Sequence, residues 1–395
     1  MLRHTVTRLA GLTLGALACL AAQDLTITNA RIVDANRVAN GSVIERGSIV
    51  VRAGKIVSVT AGAPSATSGM TIDAKGMTAM PGFIDAHRHI NTGPNEKAQM
   101  QALLEAGYTT ILSGGGPAEG NITLRDHIDK GVINGPRIIP SGAVRLNGTP
   151  EAARAEVRKL AEMGVKFTGE ILLTPIPGPT EKEIEVLKAV VDEARKVGVM
   201  VQVHAVSSKA MVAAAEAGVP LLVHLPNKDW VSKEDAKKVA AAGTKVLGTA
   251  AFGTPVFGVF ADDNKPRFRD GKPWPEGIID GVRLGEEAGY MPVNARTVWD
   301  AGAILGYCTD TTYDPKAGLD HELKLLNIMF SMQDLIKMMG PNTASYIQMG
   351  DQLGTLEPGK LADLILLDGD PREGYWNWLK TKVVVKGGVK VVDKR

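Results

Sequence analysis

Four of the chain's seven histidines stand where short apolar runs end; the seven are His4, His87, His89, His127, His204, His224 and His321. His87 and His89 follow Gly82-Phe83-Ile84-Asp85-Ala86, His204 follows Val201-Gln202-Val203, and His224 follows Leu221-Leu222-Val223. Two carboxylates share the context. Glu170 closes Lys166-Phe167-Thr168-Gly169, and Asp310 closes Gly306-Tyr307-Cys308-Thr309. Imidazole and carboxylate together suit a divalent metal such as zinc, iron or manganese. Taken singly, each residue has an ordinary use. A histidine at a strand end can be a hydrogen-bonded structural group, Glu170 a rim salt-bridge partner, and Asp310 a helix cap. Six such residues at the ends of successive runs instead point to one metal site.

The elements that would position them are legible as well. Between about residues 81 and 352, eight runs read as buried parallel strands: Gly82–Ala86, Thr109–Leu112, Arg137–Pro140, Val165–Ile171, Val199–His204, Pro220–His224, Thr244–Thr249 and Ala303–Thr309. Helical patterns separate most of them. Thr180 with Glu183, Ser232 with Asp235 and Ser331 with Asp334 have capping-box spacing, and Thr149-Pro150 reads as an N-cap followed by proline. Eight βα units imply a closed (β/α)8, TIM-like barrel, whose chemistry gathers at the C-terminal rim of the strands. Period-two alternation turns His87 and His89 the same way and Arg88 the other. The Pro-, Gly-, Phe- and Trp-rich stretch Phe252–Arg296 reads as an elaborated loop over that face. Residues 23–80 and 353–395 both alternate in strand fashion, so the two ends are expected to build one small β-sandwich domain.

Pro81-Gly82-Phe83-Ile84-Asp85-Ala86-His87-Arg88-His89 resembles the signature of the amidohydrolase superfamily. The tail Leu353-Gly354-Thr355-Leu356-Glu357-Pro358-Gly359-Lys360-Leu361-Ala362-Asp363-Leu364 is similar to that of its cyclic-amidase-like members. The family usually bridges two metals with a carboxylated lysine on the fourth strand. Here Glu170, in Thr168-Gly169-Glu170-Ile171-Leu172, occupies that place and resembles the enamidase/imidazolonepropionase-like branch. Lys166, deeper on the same strand face, is the second choice for the bridge. The resemblance implies that His87, His89 and Asp310 hold one metal, that His204 and His224 hold another, and that Glu170 joins both; a single ion fits too. It further implies hydrolysis of a C–N bond in a small-molecule amide, peptide or cyclic amide, with Asp310 passing a proton from water to the leaving nitrogen. Amidases come first among the implied classes and peptidases second.

Gly115, Arg145, Tyr313 and His321 are the candidates for substrate contact. Gly115 would let backbone approach a ligand, and Arg145 would pair with a carboxylate. A deaminase of the superfamily is one alternative. Such enzymes usually carry a glutamate shortly after a barrel histidine, and neither His224-Leu225-Pro226-Asn227-Lys228 nor His204-Ala205-Val206-Ser207 does. A non-catalytic barrel scaffold is the other.

The chain of 395 residues suits one large barrel with a small second domain, and its 44% hydrophobic and 22% charged residues are ordinary for a globular protein. The net charge of +2 comes with no basic stripe, and Lys233 to Lys238 includes Glu234 and Asp235, so no nucleic-acid footprint is expected. Arg3, Arg8, the apolar run Leu9–Leu20 and Ala21-Ala22 read as a signal peptide over residues 1–22, with a buried N-terminal helix as the alternative. The expectation is an exported protein, periplasmic or secreted, without a membrane span after cleavage, with a homo-oligomer as one option for its assembly. Cleavage would leave Cys308 alone and exclude an intramolecular disulfide.

Overall fold

The structure, a computed structural model, describes residues 24–251, 282–311 and 314–395. The expected signal peptide, Tyr313 and residues 252–281 of the expected loop lie outside these residues.

The N-terminal part supplies β1 (Leu25–Ile32), α1 (Ala35–Ala39), β2 (Ile44–Arg52), β3 (Lys55–Ala61), β4 (Met70–Asp73) and β5 (Thr78–Pro81). Strands and helices then alternate through β6 (Phe83–Arg88), α2 (Glu96–Ala106), β7 (Tyr108–Ser113), α3 (Ala118–Asp129), β8 (Arg137–Ile139), α4 (Pro150–Glu162), β9 (Phe167–Leu172) and α5 (Glu181–Val197). They continue through β10 (Met200–His204), α6 (Ser208–Glu216), β11 (Leu221–Val223), α7 (Lys233–Ala241), β12 (Lys245–Gly248), α8 (Val282–Asp300), β13 (Leu305–Tyr307) and α9 (Pro315–Met329). After α10 (Met332–Lys337) and α11 (Thr343–Tyr346), the chain ends in β14 (Leu364–Leu367), β15 (Thr381–Lys386) and β16 (Val389–Asp393).

Every apolar run singled out in the middle of the sequence overlaps a strand. β6 to β8 form one parallel sheet and β9 to β13 another. The sheets meet at a parallel bridge between Gly142 and Thr168. At the other side the Asp310 amide, just past β13, donates to the His87 carbonyl at 2.9 Å. Ile84, Ala86, Leu112, Phe167, Leu221 and Leu247, from strands of both sheets, belong to one buried cluster with Tyr346 of α11. The arrangement is a TIM-barrel-like α/β fold.

Strands from both chain ends share one eight-stranded hydrogen-bonded sheet, in the order β16-β15-β14-β5-β1-β2-β3 with β4 also on β1. One face of it gathers Leu25, Ile27, Ile49, Ile72, Leu364 and Val385 into a core of its own. The short α1, capped by Asp34, went unseen in the sequence because five residues carry no helical period.

One expectation needs correction. Residues 282–296 are not loop but part of α8, which runs through Pro292. Met291, Ala295 and Val298 are fully or almost fully buried at helical spacing. Their burial outweighs the roughly 3 kcal/mol that an interior proline costs. Among the described residues, no helix is long and apolar enough to cross a membrane.

The expected caps are present, and one of them also serves a strand exit. Thr180 and Glu183 form a reciprocal capping box on α5, and Glu183 Oε1 also accepts from the Thr174 amide and hydroxyl just after β9. Thr180→Ala should lower stability by about 1 kcal/mol in denaturant unfolding, whereas Thr180→Ser should change it little. An unchanged midpoint for the alanine variant would show that the box does not hold this helix start.

Candidate metal centre

The strand ends bring the six residues together around one carboxylate. Glu170 Oε2 lies 2.7 Å from His204 Nδ1, 3.1 Å from His224 Nε2 and 3.8 Å from His87 Nε2. Glu170 Oε1 lies 3.3 Å from His89 Nε2. Asp310 Oδ1 lies 3.2 Å from His89 Nε2 and 3.5 Å from His87 Nε2, and its Oδ2 is 3.7 Å from His224 Nε2. Two triads have ligand atoms close enough to hold an ion, His87–Glu170–His224 and His87–His89–Asp310. His204 joins neither triad and reaches the cluster through Glu170.

Local backbone makes this convergence possible. The register of β6 against β7 is irregular between Asp85 and Arg88, the stretch that carries His87. His224 (φ +70°) and Asp310 (φ +49°) adopt the left-handed conformation, which non-glycine residues rarely occupy. Holding them there costs on the order of 1 kcal/mol or more each, and such cost collects where side-chain direction matters. Glycine clears the remaining space. A Cβ on Gly114 would sit 2.8 Å from His87 Nε2, so only glycine admits the His87 ring.

The electrostatics favour a cation. Burial, reinforced by His224, drives the His87 imidazole down to about 3. Contacts with the Asp310 and Glu170 carboxylates push His89 up to about 10. Burial raises the Glu170 carboxyl, but His204, His224 and His89 outweigh it and hold the group far below the usual carboxylate range. Asp310 is likewise raised by burial and brought below its ordinary value by His89, His87 and His224. Two ionised carboxylates therefore draw positive charge into the cluster. Both ring nitrogens of His87 are buried without a hydrogen-bond partner. Orphaned neutral imidazole nitrogens beside paired carboxylates are what a divalent metal requires of its ligands. The residues present fit such an ion.

Behind this layer lie contacts that sequence reasoning did not find. His224 Nδ1 meets Thr249 Oγ1 at 2.8 Å, which turns Nε2 toward Glu170. Asp85, fully buried, accepts from the Thr309 amide (3.0 Å), the Thr309 hydroxyl (2.5 Å) and the His87 amide (3.3 Å), tying the end of β6 to the segment that carries Asp310. Burial lifts its carboxyl to about 6, against the pull of Arg88 and Thr309. Arg88 Nη1 donates to Thr309 Oγ1 and Thr311 Oγ1. No local motif signals these contacts, because the Asp85–Thr309 bond spans 224 positions.

The other candidates stand apart from the cluster or outside the described residues. Lys166 is exposed ahead of β9, so the residue that reaches the cluster is Glu170. A Cβ on Gly115 (φ +152°) would be 3.8 Å from His89 Cε1, so its backbone passes beside the site. Arg145 is exposed, and its amide donates to Glu156 Oε2. It lines a separate cavity of about 380 Å³ with Gly116, Glu119 and Lys159. His321 is half-buried on α9. Tyr313 lies outside the described residues. A larger cavity of about 570 Å³ opens beside His89, walled by Asn91, Thr92 and Pro94 and by Ala98, Ala102 and Leu103 of α2.

Gly114→Ala should displace the His87 ring and weaken uptake of a divalent metal at least tenfold, with the circular dichroism spectrum retained. Metal titration of the purified variant checks this; wild-type affinity would contradict the steric account.

The amidohydrolase family model matches residues 78–391. The imidazolonepropionase of Caldanaerobacter subterraneus subsp. tengcongensis is 22% identical over 88% of this chain and 91% of that protein. The L-hydantoinase of Paenarthrobacter aurescens is 22% identical over 88% of this chain and 86% of its own. Among solved structures, a candidate prolidase from Bifidobacterium longum has a TM-score of 0.78 at 27% identity, covering 95% of this chain and 97% of its own. The matched segment runs from β5 into β16 and takes in all six clustered residues. The chain belongs to the amidohydrolase family.

Proposed function

We propose that this protein hydrolyses a C–N bond in a small amide, peptide or cyclic amide, using one or two divalent metal ions, zinc first and iron or manganese as alternatives. The observation that carries the reading is the convergence of four imidazoles and Asp310 on the Glu170 carboxylate, with both His87 nitrogens buried and unpartnered. His87, His89 and Asp310 would hold one ion and His204 and His224 a second, with Glu170 between them. When bound, such metal lowers the pKa of a water molecule and polarises the substrate carbonyl.

The protein's own groups account for the rest of the chemistry. The neutral His87 ring can lend a nitrogen lone pair without first losing a proton. Asp310 is ionised; its Oδ1 faces His87 and His89 at 3.5 and 3.2 Å, and its Oδ2, with His224 Nε2 as the more distant neighbour at 3.7 Å, is the oxygen placed to take a proton. That oxygen accepts the proton released as water adds to the carbonyl carbon. It returns the proton to the nitrogen as the C–N bond breaks, giving a carboxylic acid and an amine. The relatives named imidazolonepropionase, L-hydantoinase and candidate prolidase support C–N cleavage as the reaction class.

The same reading takes residues 81–352 as a closed barrel and residues 23–80 with 353–395 as a β-sandwich domain. The Gly142–Thr168 bridge and the Asp310–His87 hydrogen bond support closure at the two seams between the parallel sheets. Residues 1–22 are taken as an export signal on the strength of Arg3, Arg8 and Leu9–Leu20.

The test is a panel of N-acyl amino acids, dipeptides, lactams and cyclic imides offered to zinc- and manganese-loaded protein. At least one class should yield one new carboxyl group per substrate consumed, with an amine formed from an amide, peptide or lactam and an amide formed from a cyclic imide. Asp310→Asn should lower kcat roughly a hundred- to ten-thousand-fold with metal content largely kept. Full activity in that variant would remove Asp310 from the role. Ammonia released from an amino-substituted ring, with no amide cleaved, would favour a deaminase.

A further inference from the structure

Glu322 is an almost completely buried acid that the proposed chemistry does not use. It sits on the face of α9 that also buries Leu319, Leu323 and Leu326, where an unpaired carboxylate would be very costly. Its two oxygens accept from two consecutive backbone amides, Ala250 N at 2.6 Å and Ala251 N at 2.8 Å. Burial pushes its carboxyl up to about 8, against the pull of those two amides.

The amides belong to the segment that leaves β12, and the residue before them is Thr249. Thr249 is fully buried, and its hydroxyl is the group against His224 Nδ1. β12 ends at Gly248, so sheet pairing does not reach residues 249–251. His224 lies just past β11 in a left-handed conformation, so the strand alone does not set the direction of its ring. Nε2 rests against Glu170, and Nδ1 is held by a residue whose neighbours are clamped from a helix.

We propose that Glu322 is a positioning residue for the metal centre: by clamping residues 250–251 it fixes Thr249, which keeps His224 Nε2 turned toward Glu170 and Asp310. This rests on the reading of His224 as a metal ligand. Two other helix acids make the same kind of contact with a strand exit. Glu183 on α5 holds Thr174 after β9, and Glu156 on α4 holds the Arg145 amide after β8. Glu322 differs in that the segment it clamps carries the partner of a clustered imidazole. With Nδ1–H donated to Thr249 Oγ1, Nε2 keeps its lone pair for an ion.

The experiment uses metal-stripped full-length protein, zinc competition against a chromogenic chelator, and ¹⁵N NMR of the histidine rings to read the His224 tautomer. Thr249→Val should weaken zinc binding about ten- to a hundredfold, whereas Thr249→Ser, which keeps the hydroxyl, should stay close to wild type. Glu322→Gln, which offers an acceptor to only one of the two amides, should weaken binding about tenfold. The double variant should be no worse than Thr249→Val alone, since both changes act through one ring. Thr249→Val and Glu322→Gln should each lose the uniform Nδ1–H tautomer of His224. Effects that multiply in the double variant would overturn the proposal. So would a Glu322→Gln protein with wild-type affinity and tautomer that only melts earlier. If wild-type protein binds no zinc, the metal reading falls, and the tautomer comparison still decides whether Glu322 acts through Thr249.

Discussion

The structure turns on one carboxylate. Glu170 receives nitrogen atoms from the ends of β6, β10 and β11, while Asp310, just past β13, closes the ring from the far side. Neither carboxylate is tolerable there without positive charge, because both lie largely out of water. His89, pushed up to about 10 by the two carboxylates, supplies part of that charge, whereas His87, the most deeply buried imidazole, is driven toward neutrality and supplies none. A cation held by the whole group satisfies acids and imidazoles together. Five strand ends must therefore arrive within a few ångströms of one another, and much of the remaining architecture serves that demand.

The supports are of two kinds. Some are covert exceptions to regular geometry: the register slip in β6, the left-handed backbone at His224 and Asp310, and the bare Cα of Gly114 under the His87 ring. Each weakens the fold locally by an amount that a parallel α/β core of this size can absorb. Others are buried polar ties. Asp85 joins β6 to the segment after β13, and helix acids grip strand exits through backbone amides. Such ties fix loops that would otherwise be the softest part of a TIM-barrel-like fold, on the face where its chemistry lies.

This division explains what the sequence reveals and what it hides. Parallel strands buried on both faces read as apolar runs, so the eight runs and the six polar residues at their ends are legible in the sequence alone. The caps at Thr180, Ser232 and Ser331 were visible for the same reason, since each is a local pattern a few residues long. Pro292 hid the helix from 282 to 300, because a breaker within a weak pattern looks like a loop until the packing of Met291, Ala295 and Val298 is known. Glu322 and Ala250 are 72 positions apart, so nothing local links them. In the sequence Gly115 reads as the glycine that lets backbone approach a ligand, whereas Gly114 is the one with no room for a side chain beside His87. The terminal strands were expected, but not the single sheet in which β1 pairs with β2, β4 and β5.

The most direct measurement is an anomalous-scattering map from crystals of zinc-loaded protein, recorded on both sides of the zinc edge. The account predicts a peak about 2.0–2.2 Å from a Glu170 carboxylate oxygen and within the same range of His87 or His224 nitrogen, with any second peak also touching Glu170. A map with no peak at Glu170, or with zinc bound only elsewhere on the chain, would contradict it.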